Sequence, residues 1–321
     1  MDLARGLPDE TLLNHPPGLA TDIAPTWTTV LTPLASFSPM SKLILFFLVF
    51  NLLLINLCFI RLAIVLNRAP MFRQPPPSRD NPTHLLVVLG SGGHTAEMLN
   101  ILGKYDTLQL DWTQRTYVVS SGDYFSPSKA LEFEQEMLAK LQTAGGSGGS
   151  DAGRDILECY DIATVHRARR VHQSLLTTPL SSLRCLWDCI KVLTAQHQDF
   201  RGQVFAKRQL FPDLILTNGP GTGVIVILAS VILLFFGFAG PSASLPRSKK
   251  VMKHTVGNES PIGQRGQMRS IYIESWARVK TLSLSGRLLK PLVDRFLVQW
   301  PQLVKEEGKD GKLEFVGSLV T

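Results

Sequence analysis

A long apolar run near the N-terminus constrains this chain more than any other feature. Residues Leu43–Leu66 read LILFFLVFNLLLINLCFIRLAIVL, and Arg61 is the only charged residue among them. A helix that spans a bilayer needs about 20 mostly apolar residues, whereas the apolar part of a cleaved signal peptide has about 7–15. We therefore predict a membrane-spanning helix over residues 43–66. Arg61 lies near one end, where its side chain can reach the lipid headgroups.

The charges that flank this run indicate its orientation. Lys42 is the only basic residue close to the N-terminal end of the run, whereas arginines crowd its C-terminal end. Because cytoplasmic flanks of membrane helices are rich in Lys and Arg, we predict a non-cytoplasmic tail over residues 1–42 and a cytoplasmic domain after the helix. The proline-rich residues 67–83 predict a stiff linker between helix and domain. The flanking arginines are Arg61, Arg68, Arg73 and Arg79.

The composition limits the class of protein without selecting a ligand. The chain is 45% hydrophobic and 18% charged, which is typical of a globular protein with a membrane segment. Its formal net charge is +7, which suits nucleic acid, anionic lipid headgroups or phosphorylated substrates equally. The four cysteines form no CxxC pair and no cluster with zinc-ligand spacing, so we expect buried apolar thiols in a reducing compartment.

Short apolar segments alternate with longer helical stretches after residue 83. Continuous apolar strands separated by helices indicate a parallel sheet covered on both faces, so residues 84–321 are predicted to form an α/β, Rossmann-like doubly wound parallel sheet. Loop insertions near residues 143–155 and 240–269 interrupt it. The predicted strands are His84–Leu89, Thr116–Ser120, a short strand near Ile156–Val165, Asp213–Thr217, Ser270–Ile273 and Arg295–Gln299. The predicted helices are Thr95–Lys104, Ser128–Leu141, Ser181–His197, Thr222–Phe238 and Lys280–Val293.

A second uncharged apolar run, VIVILASVILLFFGFA, covers Val224–Ala239. It is short for a membrane span, and it follows a glycine-rich turn directly. We therefore favour a buried helix, with one face able to touch lipid, over a second crossing. A second crossing would also place the two glycine-rich loops described next on opposite sides of the membrane.

The first glycine-rich loop, Gly90-Ser91-Gly92-Gly93-His94-Thr95, joins the first predicted strand to the first predicted helix. Its glycines allow a tight turn in which backbone amides approach an anion at the helix N-terminus. No Gly-Lys-Ser/Thr follows, and Thr95 replaces the third glycine of the dinucleotide fingerprint, which disfavours ATP and nicotinamide cofactors. The alternative is a tight turn without a ligand. His94 could hydrogen-bond a phosphate, act as a general base or cap the helix.

The second loop, Asn218-Gly219-Pro220-Gly221-Thr222-Gly223, follows another predicted strand. Ligands of open α/β sheets bind outside the carboxyl ends of the strands, so both loops can face one crevice. Glu274 ends a third strand and could orient or deprotonate a hydroxyl, or could simply favour a helix N-terminus. Because DxD and HExxH motifs are absent from the sequence, we expect phosphate or sugar recognition without a metal or cofactor.

Three segments together resemble a known family. They are LLVVLGSGGHTAEML (Leu85–Leu99), PDLILTNGPGTGV (Pro212–Val224) and YIESWARVKTLSLSGRLLKPLVDRFLVQWPQL (Tyr272–Leu303). They are similar to the membrane-anchor subunit of the two-subunit UDP-N-acetylglucosamine transferase. That enzyme adds the second GlcNAc to GlcNAc-diphosphate-dolichol, in the synthesis of the N-glycan precursor at the endoplasmic reticulum membrane. The resemblance implies the N-terminal, acceptor-binding half of a GT-B fold, related to the bacterial peptidoglycan lipid-linked GlcNAc transferase.

The resemblance also implies roles for individual residues. His94 or Glu274 would be the catalytic base, and a soluble UDP-GlcNAc-binding subunit would dock on the C-terminal segment 313–321 of a single-pass protein. Too little sequence follows Gln299 for a second Rossmann domain, so the chain is expected to be inactive alone. The implied acceptor-binding residues are Gly90, Ser91, Gly92, Gly93, Thr95, Asn218, Gly219, Gly221, Thr222 and Gly223, and the implied partner-binding residues are Phe315, Val316, Leu319 and Val320.

Two other functions remain open at this stage. One is a non-catalytic membrane scaffold that only recruits a complete cytosolic enzyme. The other is an unrelated membrane-tethered enzyme that binds a nucleotide-sugar without any partner.

Overall fold

The computed structural model describes residues 38–68, 83–144, 160–169, 173–174, 176–200, 211–238, 266–308 and 310–319. The chain divides into two units after Phe59. The predicted tail up to residue 37, most of the predicted linker, most of both predicted insertions and Val320 lie outside the described residues.

The N-terminal apolar run forms one helix, α1 (Pro39–Leu66). It has 28 residues and a mean hydropathy of 2.8, and within the described ranges it is the one helix long and apolar enough to cross a membrane. At about 1.5 Å per residue such a helix exceeds the thickness of the hydrocarbon core. Its side chains from Leu43 to Phe59 are mostly exposed, unlike those of a core helix. These features fit the predicted single membrane span.

Seven parallel strands form one sheet, in the order β3-β2-β1-β4-β5-β6-β7. The strands are β1 (His84–Val88), β2 (Gln114–Ser120), β3 (Tyr160–Val165), β4 (Leu214–Thr217), β5 (Arg269–Ile273), β6 (Arg295–Val298) and β7 (Leu313–Phe315). The helices that follow α1 are α2 (Gly93–Gly103), α3 (Leu108–Asp111), α4 (Phe125–Ala144), α5 (Thr178–Leu193), α6 (Thr222–Phe235), α7 (Leu284–Leu289) and α8 (Pro301–Glu307), with a 3₁₀ turn at Gln198–Phe200.

Both faces of the sheet are covered, which explains why its strands read as continuous apolar runs. On one face, Leu86 and Val88 of β1 pack in a core that includes Ile227 of α6. On the other, Leu85 and Val87 pack in a core that includes Met98 of α2. The predicted doubly wound α/β fold is confirmed.

The strand order reverses direction at β1. The chain runs outward from β1 through β2 to β3, and then returns to pair β4 on the other side of β1. Val88, the last residue of β1, pairs with Val118 of β2 and with Thr217, the last residue of β4. In sheets of this kind the crevice at the reversal is where ligands bind, and both glycine-rich loops begin there.

The second apolar run forms a core helix, as predicted. Helix α6 has 14 residues, too few to span a bilayer, and it buries side chains along most of its length. The guanidinium of Arg61 donates to the carbonyl oxygens of Leu234 and Phe235, each at 2.9 Å. Arg61, predicted to reach lipid headgroups, therefore stabilises the C-terminus of α6 instead.

Sequence patterns overestimated the helix after β5 and missed strand β7 and the short helices α3 and α8. The predicted helix Lys280–Val293 is shortened to α7 (Leu284–Leu289). It begins where Ser283 caps it, because Ser283 Oγ accepts from the amide of Gly286 at 2.9 Å, and it ends just before Pro291, which has no amide hydrogen to continue the helix. Strand β7, with only three residues, was not predicted. Cys185 and Cys189 are buried free thiols, as expected, whereas the free thiol Cys58 on α1 is exposed and Cys159 lies outside the described residues.

Candidate functional site

The first glycine-rich loop opens helix α2 at the carboxyl end of β1. Gly92 precedes the helix with φ of 62°, a conformation that favours glycine. Its carbonyl accepts the amides of Thr95 and Ala96 at 3.1 and 3.3 Å, which leaves the amides of Gly93 and His94 as the first unbonded donors of the helix. Ser91, Gly92 and Gly93 are exposed. The loop therefore presents an accessible helix N-terminus suited to an anion.

The second glycine-rich loop opens helix α6 at the carboxyl end of β4 in a similar way. Gly221 precedes this helix with φ of 64° and is exposed. Gly219 is buried against the first loop, since a Cβ added there would lie 3.0 Å from Gly90 Cα. The structure thus brings the two predicted loops into direct contact and places two helix N-termini at one crevice.

Two of the predicted acceptor-binding residues, Thr95 and Thr222, lie inside the loops rather than at their surface. Thr95 Oγ1 donates to the carbonyl of Gly90 and lies 2.6 Å from Ser126 Oγ of α4. Thr222 Oγ1 lies 2.7 Å from Ser120 Oγ at the end of β2. Both residues are buried, so their hydroxyls hold the loops in place.

His94 and Asn218 meet where the loops join. The side-chain amide of Asn218 donates to the carbonyl oxygen of His94 at 2.9 Å. His94 Nδ1 and Asn218 Oδ1 are both buried, and neither has a hydrogen-bond partner among the described residues. Because buried polar atoms are usually satisfied, these two atoms mark the junction as a place for a polar ligand.

The environment of His94 keeps its imidazole neutral. Burial lowers the pKa of His94, the positive charge of Arg278 lowers it further, and the carboxylate of Glu97 opposes them. At neutral pH the ring is therefore unprotonated and able to accept a proton. This is the protonation state that a general base requires.

Glu274, the other candidate base, is held by neighbouring residues. Its Oε2 accepts the amide and the hydroxyl of Ser283, each at 3.1 Å, at the start of α7. Burial raises the pKa of Glu274, and these hydrogen bonds oppose the rise. A carboxylate that accepts local hydrogen bonds has less capacity for a substrate hydroxyl, so His94 is the better placed of the two candidates.

Sequence reasoning missed Glu97, which joins three parts of the site. It lies one helical turn after His94 on α2 and is 9% exposed. Its Oε1 accepts the amide of Trp276 at 2.7 Å and the side-chain amide of Gln299 at 2.8 Å, and its Oε2 accepts Ser275 Oγ at 3.0 Å. Its position three residues after a histidine in a glycine-rich loop was the only signal in the sequence.

The C-terminal segment combines exposed and packed apolar residues. Phe315 is 51% exposed and Val316 is 38% exposed, beside strand β7 at the end of the sheet order. Leu319 instead packs against the core, and its amide donates to Gln299 Oε1 at 3.1 Å. Of the predicted partner-binding residues that are described, Phe315 and Val316 therefore form the accessible part.

In the described ranges, no group of three or more His, Cys, Asp or Glu side chains is placed to hold a metal ion.

Comparison with known proteins places the chain in a family. The family model described as "Oligosaccharide biosynthesis protein Alg14 like" matches residues 85–319. The "UDP-N-acetylglucosamine transferase subunit alg14" of Aspergillus fumigatus is 42% identical over 219 residues, which cover 65% of this chain and 93% of that protein. The subunit of the same name from Debaryomyces hansenii is 34% identical over 244 residues, 76% of this chain and 79% of that protein. The Homo sapiens subunit is 31% identical over 228 residues, 70% of this chain and 79% of that protein. No solved structure matches the chain. The chain therefore belongs to the Alg14 family.

Proposed function

We propose that this chain anchors a heteromeric UDP-N-acetylglucosamine transferase to the endoplasmic reticulum membrane and binds its lipid-linked acceptor. Relatives across fungi and mammals are named as subunits of that transferase, so the chain is a glycosyltransferase subunit. The acceptor in this proposal is GlcNAc-diphosphate-dolichol. The partner is a soluble subunit that supplies UDP-GlcNAc from the cytoplasmic side.

One observation carries the acceptor assignment. Two helix N-termini meet at the strand reversal, and the buried Nδ1 of His94 and Oδ1 of Asn218 are unpaired where they meet. The accessible amides of the first loop, at the N-terminus of α2, suit the negative charge of a diphosphate. The two unpaired side-chain atoms suit the hydroxyl and amide groups of the attached sugar.

In the proposed reaction the acceptor hydroxyl attacks C1 of the GlcNAc in UDP-GlcNAc from the side opposite UDP. A new glycosidic bond forms, the bond from C1 to the diphosphate oxygen breaks, and UDP leaves with the electron pair. The acceptor's hydroxyl proton passes to the neutral imidazole of His94. This chain's contribution is to orient the acceptor and accept the proton.

The partner surface in this proposal is the edge of the sheet at β7. Phe315 and Val316 are exposed apolar residues there, and exposed apolar residues at a sheet edge suit a protein partner. Their exposure supports docking of the donor-binding subunit on this segment. Leu319 would link the docked segment to the core.

The first experiment measures GlcNAc transfer by the membrane-anchored chain and its soluble partner, each alone and combined. The substrates are UDP-GlcNAc and a GlcNAc-diphosphate-lipid. We expect activity only when both are present. Replacing the base in H94A should lower the turnover rate by about 10²-fold or more, while the partner still co-purifies.

A matched control is H166A. His166 also follows a strand, but its ring bonds Asp188 of α5, so its loss should leave the turnover rate unchanged. Full activity of H94A, with activity lost only when Phe315 and Val316 are replaced, would instead support a non-catalytic scaffold. Binding of UDP-GlcNAc to this chain alone would contradict the proposal that the soluble subunit supplies UDP-GlcNAc.

A further inference from the structure

The loop that follows β5 is held firmly although it lies at an open edge of the site. Glu97 of α2 accepts hydrogen bonds from Ser275 and Trp276 on this loop. From the other side, Trp300 Nε1 donates to the carbonyl of Trp276 at 2.7 Å, and the two indole rings lie 4.4 Å apart. The loop is therefore fixed both to α2 and to the residues after β6.

This fixed loop carries an arginine, Arg278, whose side chain the described residues leave unpaired. The amide of Arg278 donates to the carbonyl of Ser275 at 2.9 Å, which closes the turn. The side chain is exposed, and its guanidinium has no hydrogen-bond or ion-pair partner in the part of the chain that the structure describes. Its positive charge nevertheless acts on His94 and on Glu274 and lowers the pKa of each. Arg278 is thus a free cation near the proposed base.

Glu97 relates this cation to His94. Both His94 and Glu97 belong to α2 and are separated by one helical turn. Because Glu97 bonds the loop that carries Arg278, the backbone of that loop is held by the same helix that carries the imidazole. Burying the Glu97 carboxylate costs free energy unless its hydrogen bonds offset that cost. These hydrogen bonds and the tryptophan pair hold an exposed loop in place, and the group that this loop presents is the unpaired guanidinium of Arg278.

We propose that Arg278 binds the phosphate groups of the lipid-linked acceptor and that Glu97 is the positioning residue that fixes Arg278 relative to His94. This inference rests on the proposed function. A guanidinium can bond two phosphate oxygens at once, and the unpaired Oδ1 of Asn218, a residue that is 1% exposed, lies where the two glycine-rich loops meet. The glycine-loop amides and Arg278 then bind the diphosphate from different sides.

The test uses the complete complex and measures KM for the acceptor and for UDP-GlcNAc separately. Loss of a charged hydrogen bond in R278Q should raise the acceptor KM by about 10- to 100-fold, and leave the UDP-GlcNAc KM unchanged. R278K keeps the charge but loses the planar group that can bond two oxygens, so its acceptor KM should lie between those of R278Q and the wild type. The control K280Q removes an exposed charge two residues further along and should leave both constants unchanged.

The role of Glu97 is tested by a double-mutant cycle. E97Q keeps the side-chain shape but offers one fewer acceptor oxygen, so we expect a smaller rise in the acceptor KM. If Glu97 acts through Arg278, E97Q should add little to R278Q. Independent, multiplying effects would overturn the positioning role, since general destabilisation would act equally in both backgrounds.

Two further outcomes would overturn the role of Arg278. One is an unchanged acceptor KM in R278Q, and the other is a rise in the UDP-GlcNAc KM instead, which would assign the cation to the donor. Inactive H94A together with either outcome would refute this inference while the proposed function stands. Fully active H94A would refute the proposed function first.

Discussion

The two glycine-rich loops look alike in sequence but have different surroundings. In the second loop the glycines make room for neighbouring protein atoms. A Cβ at Gly223 would lie 2.4 Å from Thr217 Oγ1, and one at Gly219 would lie 3.0 Å from Gly90 Cα. These distances are shorter than normal van der Waals contacts, so the second loop needs glycine for packing.

In the first loop, two glycines border open space. A Cβ added at Gly92 or Gly93 would meet nothing within 4 Å. Gly92 is required for its positive φ, but Gly93 is required by neither packing nor backbone strain. The comparison indicates that the second loop needs its glycines mainly for packing, whereas the first leaves its backbone accessible, as the proposed phosphate site requires.

The largest expected loss of stability is for G223A in the second loop. The added methyl group would collide with the buried Thr217, and overpacking of this kind costs about 1–3 kcal/mol. Chemical denaturation of the intact, detergent-solubilised chain should show a lower free energy of unfolding for G223A than for the wild type, in the unit formed by residues 60–321.

The matched control for G223A is the double variant T217A/G223A. Removing the Thr217 hydroxyl should recover part of the lost stability, because the methyl group added at position 223 can then occupy the space that the hydroxyl leaves. Equal destabilisation of G223A with and without Thr217 would show that the second loop does not depend on this packing.

A smaller loss of stability is expected for G92A in the first loop. The added methyl group meets no neighbour, so the cost comes from the backbone, which at φ of 62° is unfavourable to alanine. Strain of this kind costs about 1–2 kcal/mol. Calorimetry of the intact chain should show a lower Tm than wild type, and an unchanged Tm would mean that the loop relaxes freely.

Local pattern was enough to predict most of the sheet. Strands β1, β2, β4, β5 and β6 each contain a run of three or more mostly apolar residues that is buried or partly buried. Strand β7 could not be predicted, since three residues carry no periodicity and only pairing with β6 makes them a strand. The position of β4 beside β1 likewise depends on tertiary pairing.

The site was predicted in part for a similar reason. The loops were recognisable because glycines at a strand end carry a local signal. The bonds of Glu97 to Ser275 and Gln299 were not, because they join residues 178 and 202 positions apart. A buried glutamate on an amphipathic helix looks like a surface residue until its partners are placed around it. Arg115 and Glu134 form another such pair, both buried on β2 and α4.

The smallest change in stability, with a distinct change in activity, is expected for G93A. Gly93 begins α2 with an ordinary φ and open space beside it, and alanine favours a helix over glycine by up to about 1 kcal/mol. The free energy of unfolding should therefore stay the same or rise slightly. The new methyl group would, however, lie beside the amides that we propose bind the acceptor phosphate, so the acceptor KM should rise while the UDP-GlcNAc KM does not. Because G223A alters stability first and G93A alters acceptor binding alone, the pair separates a supporting loop from a ligand-binding one. An unchanged acceptor KM in G93A would show that the first loop, too, serves only the fold.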